Sequence, residues 1–189
     1  MIKKILGLVL LGVVSLPVQA FTEACQLVAK MAGPGYENKP NRFGSMQSPD
    51  DIPSEFGAQL IGRNGGWFIY QGKQAWFDVN HCAPMVKSSG TRSVEMVPVL
   101  LNKKTGHNAV INGIFLIKTY RQEHIDLIAK RYGFRKVSPL PNRFTAVFDV
   151  KPQTSYDHLI ETLDRDRDIE FAAPLLSEPH YRPDKRPTP

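Results

Sequence analysis

From Ile114 onward the spacing of apolar residues switches between the period of a strand and that of a helix, which leaves few architectures open to the second half of the chain. Ile114-Phe115-Leu116-Ile117-Lys118 reads as a strand. Ile125, Ile128, Ala129 and Tyr132 then recur at helical spacing, with Gly133 as a stop. Residues 134–140 are extended up to a turn at Pro141-Asn142. Residues 143–150 alternate, with Phe144, Ala146, Phe148 and Val150 on one face and Thr145, Val147 and Asp149 on the other. Tyr156, Leu159, Ile160 and Leu163 repeat the helical stripe behind Thr154 and Ser155 as candidate caps, with Asp157 in the first turn. Residues 169–173 form a last strand.

The order strand, helix, strand, strand, helix, strand predicts an α+β fold, a ferredoxin-like βαββαβ domain with the split βαβ arrangement. Right-handed crossovers put both helices on one face of an antiparallel sheet and leave the other open. Either face carries apolar groups, since Phe115, Ile117 and Val147 oppose Ile114, Leu116 and Phe148. An uncovered apolar sheet face marks a partner site, unless the first half of the chain covers it in cis. Just upstream, residues 96–101 and 107–111 flank the loop Asn102-Lys103-Lys104-Thr105-Gly106, and Asn112-Gly113 is a second turn signal. Three short strands in meander order are expected there.

The N-terminus has the pattern of a secretory signal peptide over residues 1–20, with Lys3 and Lys4, an apolar run over 5–16, Pro17, and the small-residue site Val18-Gln19-Ala20. An uncleaved anchor is the alternative, although the run is shorter than the roughly 20 residues of a membrane span. Export to the periplasm or outside the cell is expected, without stable membrane insertion. Cleavage removes two lysines and lowers the net charge from +6 to +4. The remaining Lys and Arg are scattered among acids, which reads as a solvated surface, and no nucleic-acid fingerprint is present. In an oxidising compartment Cys25 and Cys82 predict a disulfide. A catalytic Cys82 beside His81 is the alternative, disfavoured because sequence neighbours seldom form a nucleophile and its base.

The first half, 21–96, is expected to be a small β-rich module. Thr22 onward forms a short helix up to Ala32, residues 33–53 read as loop, and Gly66-Trp67-Phe68-Ile69-Tyr70 with Ala75-Trp76-Phe77-Asp78-Val79 read as a hairpin. Trp67 and Trp76 serve either as module core or as a ligand-binding aromatic face. A polar stretch over 87–93 separates this module from the domain at 97–174, and a Pro-rich tail occupies 175–189.

Ile114-Phe115-Leu116-Ile117-Lys118, Ala129-Lys130-Arg131-Tyr132-Gly133-Phe134 and Asp168-Ile169-Glu170-Phe171-Ala172-Ala173-Pro174 resemble the propeptides of bacterial subtilisin-like serine proteases. Val99-Leu100-Leu101-Asn102-Lys103-Lys104-Thr105-Gly106 is similar to a lead-in strand and turn seen before some of them. The resemblance covers 97–181. It implies a binding protein, an inhibitor or folding chaperone of a subtilisin-like or kexin-like protease. The docking face would come from Phe115, Ile117, Thr145, Val147, Glu170 and Ala172, or from the alternating set. The tail Leu175, Leu176, Ser177, Glu178, Pro179, His180, Tyr181 and Arg182 would lie as a strand in the substrate cleft. Two departures stand out. The family's acidic residue before Pro-Asn is replaced by Ala173-Pro174-Leu175, with Glu170 or Glu178 as substitutes, and the chain stops at Pro189 with no protease domain, which points to action in trans or to a truncated remnant.

Prolines follow Glu178, Arg182, Arg186 and Thr188, so the tail is pre-extended and these bonds are poor protease substrates. Lys185-Arg186 before Pro187 offers an alternative tail site that imitates an uncuttable dibasic sequence, and a disordered tail of no consequence is the other reading. The five histidines show no metal spacing and no nucleophile motif occurs, so neither catalytic residues, metal nor cofactor is expected. A secreted binding module with a non-protease partner is the rival. Residues 97–182 are expected to fold and bind without the tryptophan module. Nothing in the sequence fixes the oligomeric state.

Overall fold

The computed structural model describes residues 22–152 and 154–179, and the signal-like segment lies outside them. The chain is a mixed α+β protein with, among the described residues, three α-helices, α1 (Gln26–Ala32), α2 (His124–Tyr132) and α3 (Tyr156–Asp164). The same residues form ten strands: β1 (Tyr36–Ser45), β2 (Gln59–Asn64), β3 (Trp67–Gln71), β4 (Met85–Ser89), β5 (Arg92–Asn102), β6 (Asn108–Val110), β7 (Ile114–Thr119), β8 (Arg135–Pro139), β9 (Thr145–Asp149) and β10 (Ile169–Pro174). They make two antiparallel sheets. One is 6-stranded in the order β2-β3-β1-β5-β4 with β6 also on β5, and the other is 4-stranded in the order β10-β7-β9-β8.

The second half forms the six elements that its apolar periods predict, with α2 and α3 burying Ile125, Ile128, Ile160 and Leu163. Gly133 ends α2 in the left-handed region at φ 68°, where a Cβ is strained. Ser155 caps α3 by accepting the Asp157 N–H. Arg131 ties α2 to the loop before β10 through Asp166 and, at 2.6 Å, Asp168.

The first half departs from its sequence expectation. Residues 36–45, expected as loop, form β1, which pairs with β3 and β5. The strand was hidden because Pro40 cannot donate to a ladder, and the β5 register shifts between Asn38 and Phe43. The bulge has a use: the Pro40 carbonyl accepts the N–H groups of Trp76 at 2.7 Å and Phe77 at 3.3 Å. Consequently the segment 75–79 is not the second strand of a hairpin but a loop pinned beneath β1. Gly72 permits its close approach, since a Cβ there would fall 2.6 Å from Trp76 Nε1. The expected meander also fails at its third strand. β6 pairs with β5, whereas β7 pairs with β10 and β9 in the other sheet.

β5 runs without interruption through residues 96 and 97, where the sequence suggested a boundary, and the chain changes sheets only at Asn112-Gly113. Phe43, Tyr70, Met96 and Leu100 of the first sheet share one apolar cluster with Phe115, Phe148, Tyr156 and Ile160. Helix α1 is the bridge, packing on β1, α3 and β10.

Three contacts secure that bridge. Cys25 is bonded to Cys82, with Cα atoms 5.2 Å apart. The Cys82 carbonyl accepts the Tyr156 N–H at 2.7 Å, where α3 begins. Finally, Asp157 is wholly buried and its Oδ1 accepts the Val28 N–H at 2.9 Å. Cys25 precedes α1 in the left-handed region and gives it no side-chain cap, its sulfur being spent in the disulfide. A carboxylate from α3, 129 residues away in sequence, satisfies α1 instead.

Burial raises the Asp157 pKa above 3.8, opposed by the N–H groups of Val28, Leu27 and Gln26. A raised native pKa means the folded state holds this proton more tightly than the unfolded chain, so its contribution to stability falls as pH climbs above the ordinary carboxylate value. Glu37, lowered by its bond to Lys39, acts in the opposite direction and only below that value. Urea unfolding of the wild type and Asp157→Asn should therefore differ in slope against pH between the ordinary carboxylate range and neutrality, the variant losing less stability on the way up. Asp157→Ala should cost about 2 kcal/mol at the acidic end of that range and less as pH rises. Equal slopes for wild type and Asp157→Asn would contradict this assignment.

Candidate functional site

The 4-stranded sheet has two chemically distinct faces, set by the strict alternation along β7. Phe115 and Ile117 are fully buried and register with Phe148 and Ala146 on β9 and with Pro174 and Ala172 on β10. This is the side that the helices cover, and Phe115 stacks on Tyr156 at 5.8 Å. Leu116 registers with Val147 and Ala173, and all three remain half-buried on the helix-free side. Ile114 lies beside them on the same face, and Phe171, opposite Lys118, is 40% exposed. A register shift between Ile169 and Phe171 lets Glu170 reach Lys118 Nζ at 2.6 Å.

The docking residues inferred from the resemblance are therefore divided. Phe115, Ile117 and Ala172 point into the core, whereas Val147 and Glu170 lie outside it. Thr145 registers with Lys118 but is buried. The two sets were mixed because alternation gives each strand's period but not its phase relative to its neighbours. Of the alternatives, the outward set is Ile114, Leu116, Val147, Phe171 and Ala173.

The inferred cleft-binding tail begins inside the fold. Leu175 N–H donates to the Ile114 carbonyl at 2.7 Å, and Ser177 makes a two-way antiparallel bridge to Val110 at 2.9 and 3.0 Å. Asn64 Nδ2 donates to the Ser177 carbonyl at 2.6 Å, so the segment joins β6 to the end of β2. Glu178 accepts from Asn102 Nδ2 at 3.4 Å, and burial together with Glu178 pushes Tyr36 up to about 12. The main-chain groups of 175–177 that would add to a partner's sheet are thus partly spent within the chain. His180, Tyr181, Arg182, Lys185 and Arg186 lie outside the described residues.

Cys82 is in a disulfide and is no nucleophile, which removes the catalytic alternative for His81-Cys82. His81 instead contacts Asp78 at 3.1 Å on an exposed turn. Among the described residues no three His, Cys, Asp or Glu side chains come together as a metal site, and no helix is long and apolar enough to cross a membrane. The two tryptophans separate in role. Trp76 is core, edge-on to Phe43 at 5.3 Å with Lys87 Nζ 4.6 Å from its ring centre. Trp67 packs at the margin of a second small cluster of Ile69, Val97, Val99 and Val110, and it lines a groove. The chain matches no protein-family model, no curated protein and no solved structure.

The assignment of faces is open to a direct check. Leu116→Asp and Val147→Asp should each leave urea stability within about 1 kcal/mol of wild type, whereas Phe115→Ala should cost about 3–5 kcal/mol. Comparable losses at Leu116 and Phe115 would mean that the helix-free face is covered.

Proposed function

We propose that this chain is an exported binding protein that acts in trans on a subtilisin-like serine protease, as inhibitor, folding chaperone or both. The observation that carries the reading is the helix-free sheet face, on which the apolar Leu116 and Val147 are only half-buried and Phe171 is 40% exposed. The strand order β10-β7-β9-β8 with antiparallel neighbours throughout supports a ferredoxin-like arrangement of the propeptide type. The buried disulfide is compatible with a periplasmic or secreted protein.

In this reading the face Ile114, Leu116, Val147, Phe171 and Ala173 docks on the protease by shape and apolar contact. Lys118 and Glu170 sit at its margin as a closed pair. The tail reaches the cleft only after Glu178, whose predecessors stay on β6, so Pro179, His180, Tyr181 and Arg182 carry the blockade and Lys185-Arg186 is a second candidate. Glu178 is engaged with Asn102 and Glu170 with Lys118, so either carboxylate would have to leave its partner to substitute for the family's acidic residue. The in-chain bridge of Ser177 favours a second reading, a secreted binding module with a non-protease partner that uses the same face.

Calorimetric titration against a panel of purified subtilisin-like proteases, with hydrolysis of a small peptide substrate on the same samples, tests the proposal. Wild type should bind at least one protease and inhibit it competitively. Leu116→Asp with Val147→Asp should weaken both by about 100-fold, which is roughly two charged residues placed in an apolar contact. Removal of 179–189 should spare binding and abolish inhibition. Binding that ignores the double variant, or full inhibition by the shortened chain, contradicts the mechanism, and binding to no protease of the class favours the second reading.

A further inference from the structure

A groove of about 480 Å³ opens where the first sheet meets the linker between the sheets, a volume in the range of small-ligand pockets. Its apolar wall is Met46, Trp67, Val86 and Val97. Met46 and Val86 are 66% and 67% exposed and line the same concavity. Val86 and Glu95 are cross-strand partners on β4 and β5, so the carboxylate stands beside the apolar wall and on the same face. Lys151 closes the groove from the other side. Its stem passes over Gly113, where a Cβ would fall 3.3 Å from Lys151 Cγ and where φ is +81°.

Glu95 and Lys151 make no ion pair with each other or with any other described residue, whereas Arg135, which shares a cavity with Lys151, is paired with Asp149 Oδ2. Asn112, also in the lining, spends its Oδ1 on the Ile114 N–H and has no partner for its NH2 among the described residues. One concavity thus presents an apolar seat with a carboxylate and an ammonium left unspent. A uniformly charged ligand would meet one like charge, and a purely apolar one would leave both charges against low-dielectric surface. A ligand carrying both signs around an apolar group satisfies all three features.

We infer that this groove binds a short peptide in which a cationic group meets Glu95, a carboxylate meets Lys151, and an apolar side chain between them rests on Trp67, Met46, Val86 and Val97. The site lies between the first sheet and the residues Asn112 and Lys151, and it does not rest on the protease reading or on the face of β7 and β9. The carboxylate has two sources, a free C-terminus or an acidic side chain, and the test separates them.

The probe is the tripeptide Arg-Leu-Ala, titrated into the isotope-labelled full chain at millimolar concentration and read at the Trp67 indole N–H and the surrounding amides. Arg-Leu-Ala should shift Trp67 saturably while the buried Trp76 signal stays fixed. The C-terminal amide of the same peptide should bind at least about 10-fold more weakly, the loss of one charge pair, and recovery of binding by Arg-Leu-Glu amide would assign the carboxylate to a side chain. Glu95→Gln and Lys151→Gln, both on exposed surface or groove rim, should each lower affinity by a similar factor. Exchange of the two charges in Glu95→Lys with Lys151→Glu should abolish the preference of the site for free acid over amide. No shift at Trp67 with any of the three peptides overturns the inference. So does a shift that is equal for acid and amide and indifferent to both single variants, because the groove would then be a nonspecific apolar surface.

Discussion

Helix α1 has an N-terminus that its own sequence does not satisfy, and the way it is satisfied organises the molecule. Cys25 enters the helix with its backbone in the left-handed region and its sulfur committed to Cys82. The cap comes from Asp157 at the start of α3. Since the Cys82 carbonyl also receives the Tyr156 N–H, the disulfide loop and both helix starts meet at one point. A carboxylate buried this fully needs hydrogen bonds in place of its water, and α1 supplies one to Oδ1 from the Val28 N–H while Oδ2 has no partner among the described residues. The disulfide removes unfolded-state freedom over 57 residues, and the carboxylate makes the folded geometry specific.

This junction explains why one sheet face stays open. It fastens the first half to the helix side of the 4-stranded sheet, through α1 against α3 and β10, and so directs the first half away from Leu116 and Val147. The same placement puts Val110 and Asn64 within reach of the chain leaving β10, which they hold at Ser177. The helix-free face, the chain leaving β10 and the groove adjoin one another around Asn112 and Ile114.

The second half was legible because its elements are local. Helical stripes at Ile125, Ile128 and Ile160, Leu163, a glycine stop at Gly133 and a serine cap at Ser155 are signals contained within a few residues of one another. The first half was not, for identifiable reasons. β1 owes its existence to long-range pairing with β3 and β5 and contains a proline, so local propensity opposed it. Trp76 and Phe77 alternate like a strand yet are held by the Pro40 carbonyl and Gly72. The split of Phe115 and Ile117 from Val147 follows from register, which a single strand does not encode. Asp157 looked like an ordinary first-turn acid; that it caps a different helix depends on tertiary structure alone.

If the junction makes one cooperative unit of the two sheets, the domain at 97–174 has no stable life apart from the first half, since β5 belongs to both the boundary and the first sheet. Native-state hydrogen exchange in low urea measures this most directly. The slowest amides of the first sheet, such as Ile69 and Leu100, should share a single opening free energy with Phe115 and Phe148 of the second, and converge with them as urea rises. Exchange of Ile69 and Leu100 through an opening that leaves Phe115 and Phe148 fully protected would contradict the shared core and return the chain to two independent domains.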